Sequence, residues 1–220
     1  GLNIVRGNNS SGKSTLFNTM IYSLGMEELL GGRGSKVLPY ALKEYIPLGD
    51  EKIAIVNSSV STEIENKDGR VITLNRAIRS SDKSNKLIEV IEGNYLTGTV
   101  ENVSSQPTYL HDAGSAKNSE VGFFKVLEEF IGFDLPLIPS TSGDEVKLYI
   151  QTLFAGFFVE QKRGWTDYIA NVPYFRIKDA KSRVVEFLLD LDVFENDRKL
   201  NTLNVQSIEL NKNWDVIKAK

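Results

Sequence analysis

Eight consecutive residues, Gly7-Asn8-Asn9-Ser10-Ser11-Gly12-Lys13-Ser14, satisfy the spacing G-x-x-x-x-G-K-[ST] in full. Their types suit one chemistry, the cradling of a nucleoside triphosphate. Gly7 and Gly12 permit backbone angles that turn successive N–H groups toward phosphate oxygens. Lys13 is placed to reach the β- and γ-phosphates, and the Ser14 hydroxyl to ligate Mg2+. Thr15 supplies a further hydroxyl for the α-phosphate. A helix starting near Lys13 adds its positive N-terminal end. ATP and Mg2+ are therefore the expected cofactors. The alternative is a Gly/Ser loop in which the Gly-Lys-Ser triplet is a coincidence.

Such a loop has to be held between an apolar strand and an amphipathic helix, and the flanking sequence offers both. Gly1 to Gly7 reads as a short buried strand, and Ser14 to Leu24 as a helix with Leu16, Phe17, Met20, Ile21 and Leu24 at helical spacing. A strand that begins at once predicts further chain upstream. Lys52–Glu65 and Arg70–Ile78 are β-branched and roughly alternating, with turn residues Asn66-Lys67-Asp68-Gly69 between them, which predicts a β-hairpin. Asn85–Glu92 offers another strand. Gly122–Ile131, Glu145–Phe158 and Asp179–Leu191 read as helices, the last capped by Asp179 with an apolar face of Val184, Val185, Leu188 and Leu189. Gly31–Lys36, Ser80–Asn85 and Pro139–Gly143 read as loops. From about Asp197 the chain turns polar. Leu200, Ser207 and Trp214 lie seven apart, and Leu203, Leu210 and Ile217 repeat the spacing with an offset of three. That is the a/d seam of a coiled coil, still running at Lys220; an ordinary amphipathic surface helix is the alternative.

Composition narrows the classes. The chain has 220 residues, a net charge of −3 and 41% apolar residues, so it is not disordered throughout. It has no cysteine and one histidine, His111, which excludes disulfides, cysteine nucleophiles and thiolate or multi-histidine metal sites. No apolar run is long enough to cross a membrane, and no signal-peptide pattern opens the chain. A cytoplasmic protein without a membrane partner is expected.

A phosphate loop that hydrolyses ATP also needs an apolar strand ending in an acid. Phe187-Leu188-Leu189-Asp190-Leu191-Asp192 has that look. It continues without a break from Lys181–Glu186, which has helical periodicity, so it is expected to be a helix and Asp190 and Asp192 decoys. The chain then has a phosphate cradle and no complete hydrolytic site.

Residues Leu2 to Thr15 resemble the opening of SMC-type ATPases, the chromosome-maintenance proteins and their DNA-repair relatives within the ABC superfamily. The helix ending Tyr22-Ser23-Leu24-Gly25 is similar to that family's first helix, and the Ile53–Ile78 hairpin resembles the antiparallel subsheet of an ABC head. Phe157-Phe158-Val159-Glu160-Gln161 looks like its Q-loop, which implies that Gln161 ligates Mg2+ and senses the γ-phosphate. Lys181–Asp192 followed by heptads resembles the exit into a long antiparallel coiled coil. The family keeps its signature loop and its Walker B acids in a C-terminal lobe, and neither is found here. The resemblance thus implies an α/β fold of the ABC/SMC type: an N-terminal head lobe over residues 1–196 and the start of a coiled-coil arm over 197–220. It implies, as partners, a C-terminal lobe of the same head, a second copy of the head, DNA and accessory subunits. Arg33, in the basic loop after the first helix, would then lie near nucleotide and DNA, or else be simply solvated. Lys162, Arg163, Arg176, Lys178, Lys181 and Arg183, interleaved with Trp165, Tyr168, Tyr174 and Phe175, are candidate DNA contacts, or a solvated face over core aromatics. Phe157–Trp165 and Tyr174–Asp192 have some look of the shorter-armed ATPases of Lamassu-type anti-phage systems. A small P-loop kinase and an ATP-dependent coiled-coil scaffold without turnover are the competing classes.

Overall fold

The computed structural model describes residues 2–98, 104–110, 122–159, 167, 169 and 171–218. They form a mixed α/β chain whose described ladders are all antiparallel. The chain divides into two compact units, Gly1–Phe133 and Asp134–Lys220.

The first unit opens on α1 (Lys13–Ser23). Two short hairpin strands follow, β1 (Tyr45–Leu48) and β2 (Glu51–Ala54). A four-stranded sheet in the order β3-β4-β5-β6 comes next: β3 (Ser58–Glu65), β4 (Val71–Arg79), β5 (Leu87–Glu92) and β6 (Ser105–Tyr109). The expected hairpin is β3–β4. Its turn is set by Asn66, whose Oδ1 accepts from the N–H groups of Asp68 and Arg70 while its Nδ2 donates to the Phe130 carbonyl. The first arm of that hairpin is shorter than expected, because the chain breaks at residues 55–57 and Lys52–Ala54 pairs with β1 instead. β6 carries Pro107, which the sheet tolerates because β6 is an edge. α2 (Phe123–Ile131) buries Phe123, Phe124, Leu127 and Phe130 on one side.

Only the C-terminal half of α1 belongs to this core. Tyr22 is fully buried with Leu38 and Ile78, and Val37, Leu42 and Val60 close around them. Ile21 is buried too, but Leu16, Phe17 and Met20 are exposed, contrary to the apolar stripe expected of them. The chain leaves α1 through Gly25 at φ 71°, where a Cβ would lie 2.3 Å from Leu110 Cδ2. Glycine answers both the backbone sign and the lack of room.

The strand expected over residues 1–7 is not formed in the described residues. Residues 2–7 pair with no strand, and Leu2, Ile4 and Val5 are exposed. A strand needs a neighbour to take its N–H and C=O groups, and no described strand lies beside this one.

The second unit holds β7 (Leu137–Pro139), β8 (Glu145–Lys147), α3 (Ile150–Phe154), α4 (Ala180–Leu188) and α5 (Phe194–Lys218). The helix expected over Glu145–Phe158 is therefore two elements, a strand and a shorter helix. Ladder bonds from Glu145 and Lys147 to β7 claim the backbone before the helix can start. Asp179 precedes α4 as expected, but with φ 52° and no side-chain cap. α5 is rooted by Arg198, which pairs with Glu145, and by Asn201, whose Nδ2 donates to the Gly143 carbonyl at 3.0 Å. Beyond that root Leu203, Leu210, Trp214 and Ile217 are exposed along its length.

Candidate nucleotide site

The phosphate-loop residues fold into a tight ring that closes on Lys13. Ser11 N–H donates to the Asn8 carbonyl at 3.3 Å, Ser10 takes a positive φ of 63°, and Gly12 one of 86°. At Gly12 the left-handed angle turns the chain directly into α1, whose first intrahelical bond runs from Leu16 N–H to the Gly12 carbonyl at 2.9 Å. Lys13 Nζ folds back over the loop and donates to the carbonyls of Gly7 and Asn8, each at 2.7 Å. The ammonium is thus held above the ring by its own backbone, where it can exchange a carbonyl for a phosphate oxygen. Gly7 is close-packed: a Cβ there would lie 2.6 Å from Ser11 Oγ.

Ser14 is exposed at the first turn of α1, and no side chain caps that helix. Its N-terminal N–H groups are therefore open to an anion. The exposed Ser14 hydroxyl suits Mg2+, which prefers one or two protein oxygens with phosphate and water making up the rest. No group of three or more histidine or acidic residues that could hold a metal ion is found among the described residues.

The other end of α1 is fixed by a buried polar network. Arg76 of β4 donates from Nη1 and Nη2 to the Glu27 carboxylate, from Nε to the Asn85 carbonyl at 2.7 Å, and from Nη1 to the Tyr22 carbonyl. Its guanidinium lies 3.8 Å from the Tyr22 ring centroid, and Tyr22 Oη donates to the Ala77 carbonyl at 2.7 Å. Burial pushes the Tyr22 hydroxyl up to about 12, the positive charge of Arg76 opposing it only in part. Glu27 also accepts the Gly34 N–H at 3.1 Å, and Glu28 pairs with Arg33 at 2.7 Å. These two acids attach the Arg33 loop beside the C-terminal end of α1. No polar contact joins Arg33 to residues 7–15. Arg76 was legible in principle: Ile72, Leu74, Arg76 and Ile78 alternate onto one face, and a cation on an apolar face needs a buried partner.

Gln161 lies outside the described residues, as do His111, Lys162, Arg163, Trp165 and Tyr168. Asp190 sits just past α4 in a left-handed turn at φ 52°, and no strand runs through Phe187–Asp192. Of the basic cluster, Lys181 pairs with Asp167, Arg183 with Glu186 and Asp197, and Arg176 donates to Ser142 Oγ at 2.8 Å. The carboxylates on Lys181 and Arg183 reduce the positive charge that cluster can offer a phosphate backbone, whereas the Ser142 hydroxyl leaves the charge of Arg176 in place.

No helix of the described residues is long and apolar enough to cross a membrane. No family model matches the sequence, and no curated protein matches it.

Proposed function

We propose that the chain is the ATP-binding N-terminal lobe of an SMC-type head of the ABC superfamily, whose ATP-dependent dimerisation and hydrolysis act on DNA. The observation that carries the reading is Lys13 Nζ seated over the loop on the Gly7 and Asn8 carbonyls, in a ring that leads into an uncapped helix. In this reading the backbone of residues 7–12 and Lys13 hold the phosphates, Thr15 reaches the α-phosphate, and Ser14 with Gln161 holds Mg2+. The metal would draw charge from the β- and γ-phosphates. Arg33 would have to leave Glu28 to reach nucleotide or DNA.

Two exposed apolar sets support the half-head reading. Leu2, Ile4 and Val5 lie open before the loop, and Leu16, Phe17 and Met20 lie open on α1. A C-terminal lobe bringing the hydrolytic acid would also cover such surfaces. The exposed leucines of α5 suit the start of an antiparallel arm.

The test is ATP binding and turnover by the chain alone, then with a C-terminal head lobe supplied in trans. Lys13→Ala is expected to abolish binding, and Gln161→Ala to weaken Mg2+-dependent head pairing while keeping much of the nucleotide affinity. Turnover is expected only in the mixture. Unchanged ATP affinity in Lys13→Ala would remove the site assignment, and robust turnover by the lone chain would remove the half-head reading.

A further inference from the structure

A second surface of the first unit shares no residue with the phosphate loop. Five cations of this unit are neutralised in place: Arg33 by Glu28, Arg70 by Glu92, Arg76 by Glu27, Lys83 by Glu89 and Lys125 by Glu129. Lys36, Lys43, Lys52 and Arg79 are gathered instead without a carboxylate partner among the described residues. Lys43 Nζ donates to the Lys36 carbonyl at 3.0 Å, and Arg79 Nη1 donates to the Lys43 carbonyl at 2.7 Å. Lys52 Nζ lies 4.6 Å from the centroid of the Tyr45 ring. The Tyr45 ring in turn stacks on Tyr40, with centroids 4.8 Å apart and planes 24° apart. Tyr40 is 47% exposed.

Strand alternation separates the charges. The register Tyr45↔Ala54 and Pro47↔Lys52 puts the aromatic ring and the lysine on one face of the β1–β2 hairpin. Leu48↔Glu51 puts Glu51 on the other face, with Ile46 and Ile53. Asp50 sits in the turn at the tip.

We propose that this surface binds single-stranded nucleic acid, with a base stacked on Tyr40 and phosphates on Lys36, Lys43, Lys52 and Arg79. A stacked aromatic beside cations free of carboxylates is the combination that tracks an unpaired strand, because every unstacked base offers a π-face and every linkage a negative charge. A duplex keeps its bases stacked on each other and gains nothing from Tyr40. The inference rests on the nucleic-acid half of the proposed function and on no residue of the phosphate loop, so the two can fail separately.

The test is fluorescence anisotropy of a labelled oligothymidylate of about fifteen nucleotides, a length near the upper site size of a single stacking module, without ATP and over a salt series. The intact chain is expected to bind it more tightly than a duplex of equal length. Tyr40→Ala is expected to weaken binding about tenfold with the salt slope unchanged, and Tyr40→Phe to bind like the parent. The double variant Lys36→Gln/Lys52→Gln, both positions exposed, is expected to flatten the slope by about 1.4. Lys13→Ala is expected to bind the oligonucleotide like the parent, even where it has lost ATP. Parent-like binding by both the Tyr40→Ala and the double-lysine variants would overturn the proposal. Absence of binding by the parent, or equal binding of duplex with no effect of Tyr40→Ala, would do the same.

Discussion

Arg76 and Glu27 form a two-pronged ion pair inside the first unit, with each guanidinium Nη 2.8 Å from one carboxylate oxygen and the Arg76 side chain only 1% exposed. The pair ties three pieces of chain together: α1 through the Tyr22 carbonyl and ring, β4 through Arg76 itself, and the Arg33 loop through the Gly34 N–H. Such a pair stabilises little over apolar residues of equal size, but removing one partner strands a buried charge. Glu27→Ala is therefore expected to lower the unfolding free energy by about 3–5 kcal/mol in urea titrations. Glu27→Leu combined with Arg76→Met is expected to recover most of that loss. A mild effect of Glu27→Ala would mean that water reaches Arg76.

The same carboxylate sets an acid limit. Burial alone raises the Glu27 pKa, but hydrogen bonds and charge from Arg76, with the Gly34 N–H, outweigh it and hold the group below the ordinary value. A depressed carboxylate contributes stability above its unfolded pKa, about 4.3, and loses it as pH falls through the folded value. Stability of the parent should fall below about pH 4.3 more steeply than that of Glu27→Gln, which has no proton to take up there. Parallel acid limbs would show that other carboxylates dominate.

Tyr22 sets an alkaline limit by the opposite sign. Its hydroxyl is pushed from 10.0 up to about 12, mainly by burial. A raised group contributes fully below its unfolded pKa and loses that contribution as pH rises through the folded one. Tyr22→Phe removes the hydrogen bond to the Ala77 carbonyl and should cost about 1–2 kcal/mol at neutral pH. Between 10.0 and about 12 the parent should lose stability faster than the variant, which has no phenol to ionise. Chemical denaturation across that interval measures the difference.

What the sequence made legible follows the range of the forces involved. α1, the β3–β4 turn and α2 rest on local spacing and turn chemistry, and each stands where the residues place it. The strand over residues 1–7 and the helix over 145–158 went the other way. Both depend on which chain lies alongside: the first lacks a described neighbour, and the second lost its start to a ladder with β7. β6 escaped notice because Pro107 breaks its strand pattern, and only its edge position makes it tolerable. The Glu27–Arg76 pair joins residues 49 apart in sequence, so only the cation at Arg76 hinted at it.

Asp190 supplies a test of the acidic segment that mimics a hydrolytic strand. It follows α4 with φ 52°, a conformation that disfavours every residue with a Cβ. Asp190→Gly is expected to stabilise the chain by about 0.5 kcal/mol by relieving that angle, partly offset by unfolded-state entropy. Asp192→Ala is expected to be close to neutral. Neither change should alter ATP affinity. A tenfold loss of affinity in either variant would put that acid in the nucleotide site.

Gly7 offers the sharpest test of the loop as a structure rather than a motif. A Cβ at this position would lie 2.6 Å from Ser11 Oγ and 3.4 Å from Ser11 Cβ, inside the ring on which Lys13 closes. Gly7→Ala therefore displaces the Ser11 hydroxyl, the far end of an exposed side chain, and is expected to disturb the loop contacts around it. Loss of well-placed loop contacts of this kind should weaken ATP binding by about ten- to a hundredfold, since hydrogen bonds to charged groups are each worth ~1.5–3 kcal/mol. The clash involves one side chain, so Ser11→Gly removes its cause. The double variant Gly7→Ala/Ser11→Gly should recover most of the affinity, although Ser11→Gly alone should gain none. Isothermal titration with ATP and Mg2+ on the four chains closes the cycle. Additive effects would show that residues 7 and 11 do not meet when the loop holds phosphate.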